Sequence, residues 1–350
     1  MATSPARLLT HLPLSLILTV AIFASLPLWV ARIGLYEYLA LEVLIWSLFA
    51  MAYNLMLGYT GLPSFGHAAF FGIGAYAFGL WQFHAYANLW ACLAASLLAA
   101  ALAGAVVASF ISHRRGIYYA LLTIAFGEMF VFICIKWHTV TKGEDGLLNI
   151  RRLPAELGFA SISLKTNVEL YYFVLVLFAI VVWLLWRLVR SPFGHVLQAI
   201  RQNDLRVSYL GYNVWLHKWL VFVLSATLAG LAGGLFAMAQ EGAYVQVMTL
   251  QWSGIVVLMT LTGGGLVSFW GPVLGTVVFF VARDVLGALT ETWMIWYGLM
   301  FMMIVMFKPE GIAGLLQDLA QRIRPGRNSP AVPPTTAVSS KPVQAGHGAV

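Results

Sequence analysis

Apolar stretches long enough to reach across a lipid bilayer follow one another along most of this chain, and they leave little freedom in what it can fold into. They lie at about residues 13–31, 38–57, 66–83, 88–111, 117–137, 169–189, 216–239, 251–269, 272–290 and 293–307. About 20 apolar residues carry a helix through the hydrocarbon core, where every backbone N–H and C=O must be bonded internally. The pattern predicts an all-α polytopic membrane protein of about ten transmembrane helices. Only 9% of the 350 residues are charged, against roughly a quarter in soluble domains, which excludes a soluble fold. The third and eighth stretches are short or broken by glycine, so eight or nine complete crossings are the alternative. The first is read as a retained span, because it is long for a signal-peptide core and lacks a small-x-small cleavage site.

The cations give the orientation. With ten spans and the N-terminus inside, 13 Lys and Arg fall in cytoplasmic segments and six outside, which predicts that both termini are cytoplasmic. The formal net charge of +7 comes from those loops and does not imply a nucleic-acid partner. Residues 1–316 read as the membrane domain. Residues 325–350, rich in Pro, Ser, Thr, Ala and Gly, read as a disordered cytoplasmic tail. Cys92 and Cys134 both lie inside apolar runs and imply neither a disulfide nor a metal site. No phosphate-binding Gly-x-x-x-x-Gly-Lys-Ser/Thr is present, and no catalytic cluster or cofactor site is expected.

One cytoplasmic loop, 190–218, is more than a tether. Ser191-Pro192 places a capping residue before a proline at the first helical position. Val196, Leu197, Ile200 and Leu205 then recur at helical spacing, and Gly211 is placed to end the helix. A short amphipathic helix here reads either as a docking element for a partner outside the bilayer or as a helix lying at the membrane surface.

Two other places break the helical pattern alike: Gly61-Leu62-Pro63-Ser64-Phe65 and Gly265-Leu266-Val267-Ser268-Phe269. Paired interruptions in two halves of a transporter point to its pathway; tight turns with close helix packing are the alternative, since Ala226, Gly230 and Gly234 form a small-residue stripe with no break. Polar residues inside the spans must face protein or water. Asn54, His67 and Glu128, together with Ser64 and Gly66 at the first interruption, are the candidate pathway residues. Glu128 stands near mid-span, as a pathway group or an interhelical hydrogen bond. His67 reads as a substrate contact or an interfacial cap. Arg283 and Asp284 carry no assigned role.

Asn54-Leu55-Met56-Leu57-Gly58-Tyr59-Thr60-Gly61 and Ser64-Phe65-Gly66-His67-Ala68-Ala69-Phe70-Phe71-Gly72 resemble the signature of permease subunits of branched-chain amino acid ATP-binding-cassette importers, LivM type. Ala125-Phe126-Gly127-Glu128, Gly143-Glu144-Asp145-Gly146-Leu147 and Trp270-Gly271-Pro272-Val273-Leu274-Gly275 extend the likeness over about 40–316. The resemblance implies a multi-pass permease of a bacterial inner membrane, working with a second permease (LivH type), two cytoplasmic ATP-binding subunits and a periplasmic substrate-binding protein. It identifies 190–218 as the ATPase-docking loop, with Pro192, Gly194, Ala199, Arg201, Asp204, Arg206 and Gly211 as docking residues. Two departures stand out: Asp204 is followed by Leu205-Arg206-Val207 rather than small residues, and Lys142 stands where glycine is usual. Urea or short-amide permeases share nearly the whole pattern, and an ion-coupled secondary transporter is the reading from a different class.

Overall fold

The computed structural model describes residues 14–33, 37–156, 161–266, 268–308 and 310–315; the sites of both terminal expectations, including the tail 325–350, lie outside them. Among the described residues twelve helices run in chain order: α1 (Leu14–Ile33), α2 (Glu37–Asn54), α3 (Ala68–His84), α4 (Leu89–Ile111), α5 (Gly116–Lys136), α6 (His138–Thr141), α7 (Asn167–Val189), α8 (Pro192–Tyr209), α9 (Val214–Gln240), α10 (Leu250–Gly263), α11 (Gly271–Leu289) and α12 (Trp293–Phe307). Six of them are long and apolar enough to cross a membrane: α2 with its continuation to Thr60, α4, α5, α7, α9 and α11. The four other expected spans are present as the helices α1, α3, α10 and α12. Of these, α10 has 14 residues and α12 has 15, short of the usual crossing length. The chain is a multi-pass membrane protein.

The helix ends obey local chemistry. Asn88 caps α4 through its carboxamide oxygen, 2.9 Å from the Trp90 amide. Thr166 and Glu169 cap α7 reciprocally, at 3.2 and 3.1 Å. Asn213 caps α9, accepting from the Leu216 amide at 3.1 Å. Each side-chain acceptor answers one of the amide donors that a helix start leaves unpaired.

Apolarity on every side places α2 and its extension at the centre: the chain is buried without a break from Leu39 to Met56. Next to it α9 packs against α3 and α4 by its small residues. A methyl group at Gly230 would strike Ser96 and Ala100 of α4; at Gly233, Phe71 and Ala75 of α3; at Gly234, Ser96. The stripe Ala226, Gly230, Gly234 is therefore a packing face, where backbones approach closely for want of side chains. On the far side, α11 is pinned to α2 by Arg283, whose guanidinium donates to both oxygens of Glu42 at 3.1 and 2.9 Å. A buried carboxylate is tolerable when paired in this two-pronged way.

The loop 138–168 folds down rather than standing free. Leu147-Leu148 (β1) pairs antiparallel with Gly242-Ala243 (β4), and Ala155-Glu156 (β2) with Ser161-Ile162 (β3). Leu147, Ile150, Leu153 and Leu164 are buried beneath it. Arg152 ties the loop to the end of α9, pairing with Glu241 at 3.1 Å. Lys142 has a left-handed backbone, φ 63°, which is the reason a glycine suits that position.

The expectation of one continuous amphipathic helix in the cytoplasmic loop needs correction. Asn203 has φ −163° and ψ 102°, so α8 is two helices joined there. Asn203 starts the second one by accepting from the Arg206 amide at 3.0 Å. The break rotates the second helix relative to the first. Leu197 and Ile200 are buried as expected, but Leu205 is exposed and Val207 takes its place inside. Gly211 lies just past the last turn at φ 87°, its amide bonded to Ser208 at 3.0 Å, as a left-handed glycine ending a helix should be.

Candidate functional site

The two interrupted segments come together in the fold, one after α2 and one after α10. After Asn54 the chain widens into a π-helical turn, Leu55–Thr60, ending at Gly61 with φ 71°. The Leu62 amide reaches back to the Met56 carbonyl at 2.9 Å. The stretch from Ser64 to Ala68 is bonded to three helices. The Ser64 amide donates to the Tyr53 hydroxyl of α2 at 3.2 Å, the Phe65 amide to Thr123 Oγ1 of α5 at 3.1 Å, and the Ala68 amide to Ser253 Oγ of α10 at 3.0 Å. These three side chains do for an irregular buried backbone what a helix would do for itself. Gly66 lies directly on the Thr123 carbonyl and Gly127 of α5, with no room for a Cβ.

The second interruption starts one residue earlier than the sequence match suggests. Gly264, not Gly265, is left-handed, φ 88°. It packs against the backbone of Glu310 and Gly311. Its turns are closed locally, Gly265 amide to Thr260 carbonyl at 2.8 Å and Ser268 amide to Gly264 carbonyl at 2.9 Å.

Asn54 sits where the segments meet. It is buried, and its Oδ1, which has no hydrogen-bond partner among the described residues, lies against Gly58 on one side and Gly265 on the other. Ser64 is fully buried as well. His67 stands at the N-cap position of α3 without a side-chain capping bond, and it is 1% exposed. Its Nε2 is 2.8 Å from Ser225 Oγ of α9, whose hydroxyl also meets the Ala52 carbonyl at 2.7 Å. Phe49 stacks on its ring and Phe222 meets it edge-on. His67 is a core residue joining α9 to the interrupted segment.

Glu128 is the one candidate pathway residue that looks outward. It is exposed and stands twelve residues into the 21-residue α5. Tyr118, Leu121, Ala125, Glu128 and Phe132 are all exposed and share one face by their three- and four-residue spacing.

Of the expected docking residues, Pro192 and Arg206 are exposed, Ala199 is half-buried, and Gly194 is buried against the Val189 carbonyl. Asp204 is engaged within the chain, by Arg115 at 2.7 Å and Lys218 at 3.0 Å; this anchors the second half of α8 to the α4–α5 turn and to α9. Arg201 is exposed as a whole, yet its Nη1 donates to the Gly58 carbonyl and, at 3.1 Å, to the Leu266 carbonyl. Sequence reasoning missed the roles of Arg115, Thr123, Ser225 and Ser253, and the pairing of the loop cation Lys218 with Asp204; none carries a local signature, because each acts on a residue distant along the chain. Among the described residues no group of His, Cys, Asp or Glu could hold a metal ion.

Comparison with known proteins places the sequence in a family. The profile of the family described as the branched-chain amino acid transport system permease component matches residues 35–307. The LivM permease of the high-affinity branched-chain amino acid transport system of Escherichia coli (strain K12) is 27% identical over 293 residues, covering 78% of this chain and 69% of that protein. A probable LivM permease of Methanocaldococcus jannaschii is 23% identical over 75% of this chain and 88% of its own length. A nucleoside permease, NupC of Lactococcus lactis, is 25% identical over 37% of this chain and 41% of its own. No solved structure matches. With more than half its length matched, the chain belongs to the permease-component family of branched-chain amino acid transport systems, a family of transport permeases and not of enzymes.

Proposed function

We propose that this chain is one of two permease subunits of an ATP-driven importer for branched-chain or related apolar amino acids in a bacterial inner membrane. In this reading it has ten membrane helices with both termini cytoplasmic, pairs with a LivH-type permease, and receives substrate from a periplasmic binding protein. The assembly carries two cytoplasmic ATP-binding subunits, and one of them docks on α8. The observation that carries the reading is α8 itself: in a family of transport permeases, a cationic helix outside the spans rests directly on the interrupted segment Leu55–Thr60. The chain has no phosphate-binding loop, so its work must be driven by other subunits.

The exposed face of α5 fits the contact with the second permease. A carboxylate near mid-span is costly against lipid, so the face bearing Glu128 belongs against protein or water. Glu128 is then placed to bind the ammonium group of a zwitterionic substrate on its way between the two permeases.

Reconstitution of the four kinds of subunit in proteoliposomes tests this, with labelled leucine, a nucleoside and urea offered in turn. ATP-dependent uptake of leucine is the expected result. Uptake of the nucleoside or of urea alone would reassign the substrate, and uptake driven by an ion gradient without ATP would end the reading. Glu128→Gln, which keeps the shape and removes the charge, should lower leucine uptake on the order of tenfold, the effect of one hydrogen bond to a charged group. Unchanged uptake would remove Glu128 from the route.

A further inference from the structure

The loop between α7 and α9 is rich in cations, and most have ordinary surroundings. Arg187 and Arg190 lie over the rings of Trp183 and Trp186 of their own helix. Lys218 is taken up by Asp204. Arg201 differs. Its side chain leaves the helix it grew from and reaches the backbone of both interrupted segments, 143 and 65 residues away in sequence.

The two acceptors are available for a structural reason. In an unbroken α-helix the Gly58 carbonyl would be taken by the amide four residues on. Here Leu62 bonds instead to Met56, six residues back, and Gly58 is left free to accept from the guanidinium. Leu266 lies in the turn after Gly264, where no helix continues. The approach is close on the α8 side too: a Cβ at Gly61 would meet Arg201 Cγ at 2.9 Å, so the left-handed glycine makes the bed for the arginine stem. Beside this junction lies a cleft of about 430 Å³ lined mainly by polar groups, among them Gln198, Gln202 and Ser268. On the other side, Asn54 Oδ1 sits between Gly58 and Gly265 with no hydrogen-bond partner among the described residues. The segments thus touch through two glycines, a carboxamide and one guanidinium.

We propose that Arg201 is a positioning residue of the transport cycle: it latches the two interrupted segments together at their cytoplasmic ends, and displacement of α8 releases them. A guanidinium holding two carbonyls from different segments makes their separation depend on its own position. A shift of α8 by about an ångström or two breaks both hydrogen bonds, because such bonds weaken steeply with distance and angle. The inference rests on the reading that the ATPase docks on α8, and it adds the next link, from that helix to the membrane segments.

The test uses the complete reconstituted transporter carrying Arg201→Ala or Arg201→Lys. Co-purification of the ATPase reports docking; uptake per ATP hydrolysed reports the latch. For Arg201→Ala the expected result is a complex that retains its ATPase and still hydrolyses ATP. Hydrolysis should no longer respond to loaded binding protein, and uptake per ATP should fall at least about tenfold, since both charged hydrogen bonds are lost and one alone is worth about that much. Arg201→Lys, which keeps the charge and a donor, should fall between. Wild-type coupling in Arg201→Ala would overturn the latch. Loss of the ATPase from that variant would overturn it as well, leaving Arg201 a docking contact. A measurement in otherwise unaltered protein guards against variants that fail to assemble: spin labels at Gln198 and Ser268 should move apart when ATP binds. A distance that does not change would refute the proposal; lengthening supports it.

Discussion

The two interrupted segments look alike in sequence and are held in different ways. The first, 55–67, is built into the bundle. Its amides and that of Ala68 are answered by Tyr53, Thr123 and Ser253 from three helices, and its glycine, Gly66, lies against α5 without space for a methyl group. The second closes its turns within itself and leans on the backbone of Glu310 and Gly311. Equal motifs have become a fixed half and a locally sustained half of one junction, joined by Asn54 and Arg201. A junction of this kind can open by moving the second half while the first keeps its place, which is a hinge arrangement rather than a symmetric pair of gates.

The sharpest way to break that comparison is to crowd both glycines. At Gly66 a Cβ would run into the Thr123 carbonyl and the backbone of Gly127, and neither can swing aside as a side chain would. Gly66→Ala should cost about 3 kcal/mol, the upper end of overpacking in a tight core. It should lower the thermal midpoint of the detergent-solubilised protein and cut the yield of folded protein. A normal midpoint would mean that the first segment is not the fixed half.

Gly264→Ala is expected to cost less, about 1–2 kcal/mol for forcing a left-handed backbone on a residue with a side chain, with some added crowding at the Glu310 carbonyl. Its loss should fall more on uptake than on the midpoint. A drop in stability equal to that of Gly66→Ala would erase the distinction between the halves.

Thr123→Val gives the smallest effect and the finest test. It keeps the shape and removes the acceptor for the Phe65 amide, leaving a part-buried donor unanswered, at about 1 kcal/mol. The same hydroxyl also donates to the Ala120 carbonyl at 2.7 Å, which lies inside α5 and loses little. A midpoint unchanged within error would show that water answers Phe65 equally well.

Hydropathy and local chemistry made much of this molecule legible from its residues alone. A run of about 20 apolar residues is a helix in a bilayer whatever surrounds it, because the cost of an unbonded peptide group in hydrocarbon does not depend on neighbours. The cap at Ser191, the left-handed Gly211 and the positions of both interruptions are likewise written in stretches of a few residues. The run from Asn54 to Gly72 is enough to recognise the family. The fold alone decided who meets whom. Nothing near His67 in sequence announces Ser225, and nothing near Asp204 announces Arg115. Arg201 could not be told from a docking cation until the backbone of Gly58 and Leu266 came within its reach. Asn203 was invisible as a break because asparagine both continues and starts helices, and only packing of Val207 in place of Leu205 selects between the two. The free energy of each segment in its solvent is a sum over neighbours along the chain, and the order of residues determines it. A pairing such as Glu42 with Arg283, 241 residues apart, depends on which faces the closed bundle brings together, and that is a property of the tertiary structure.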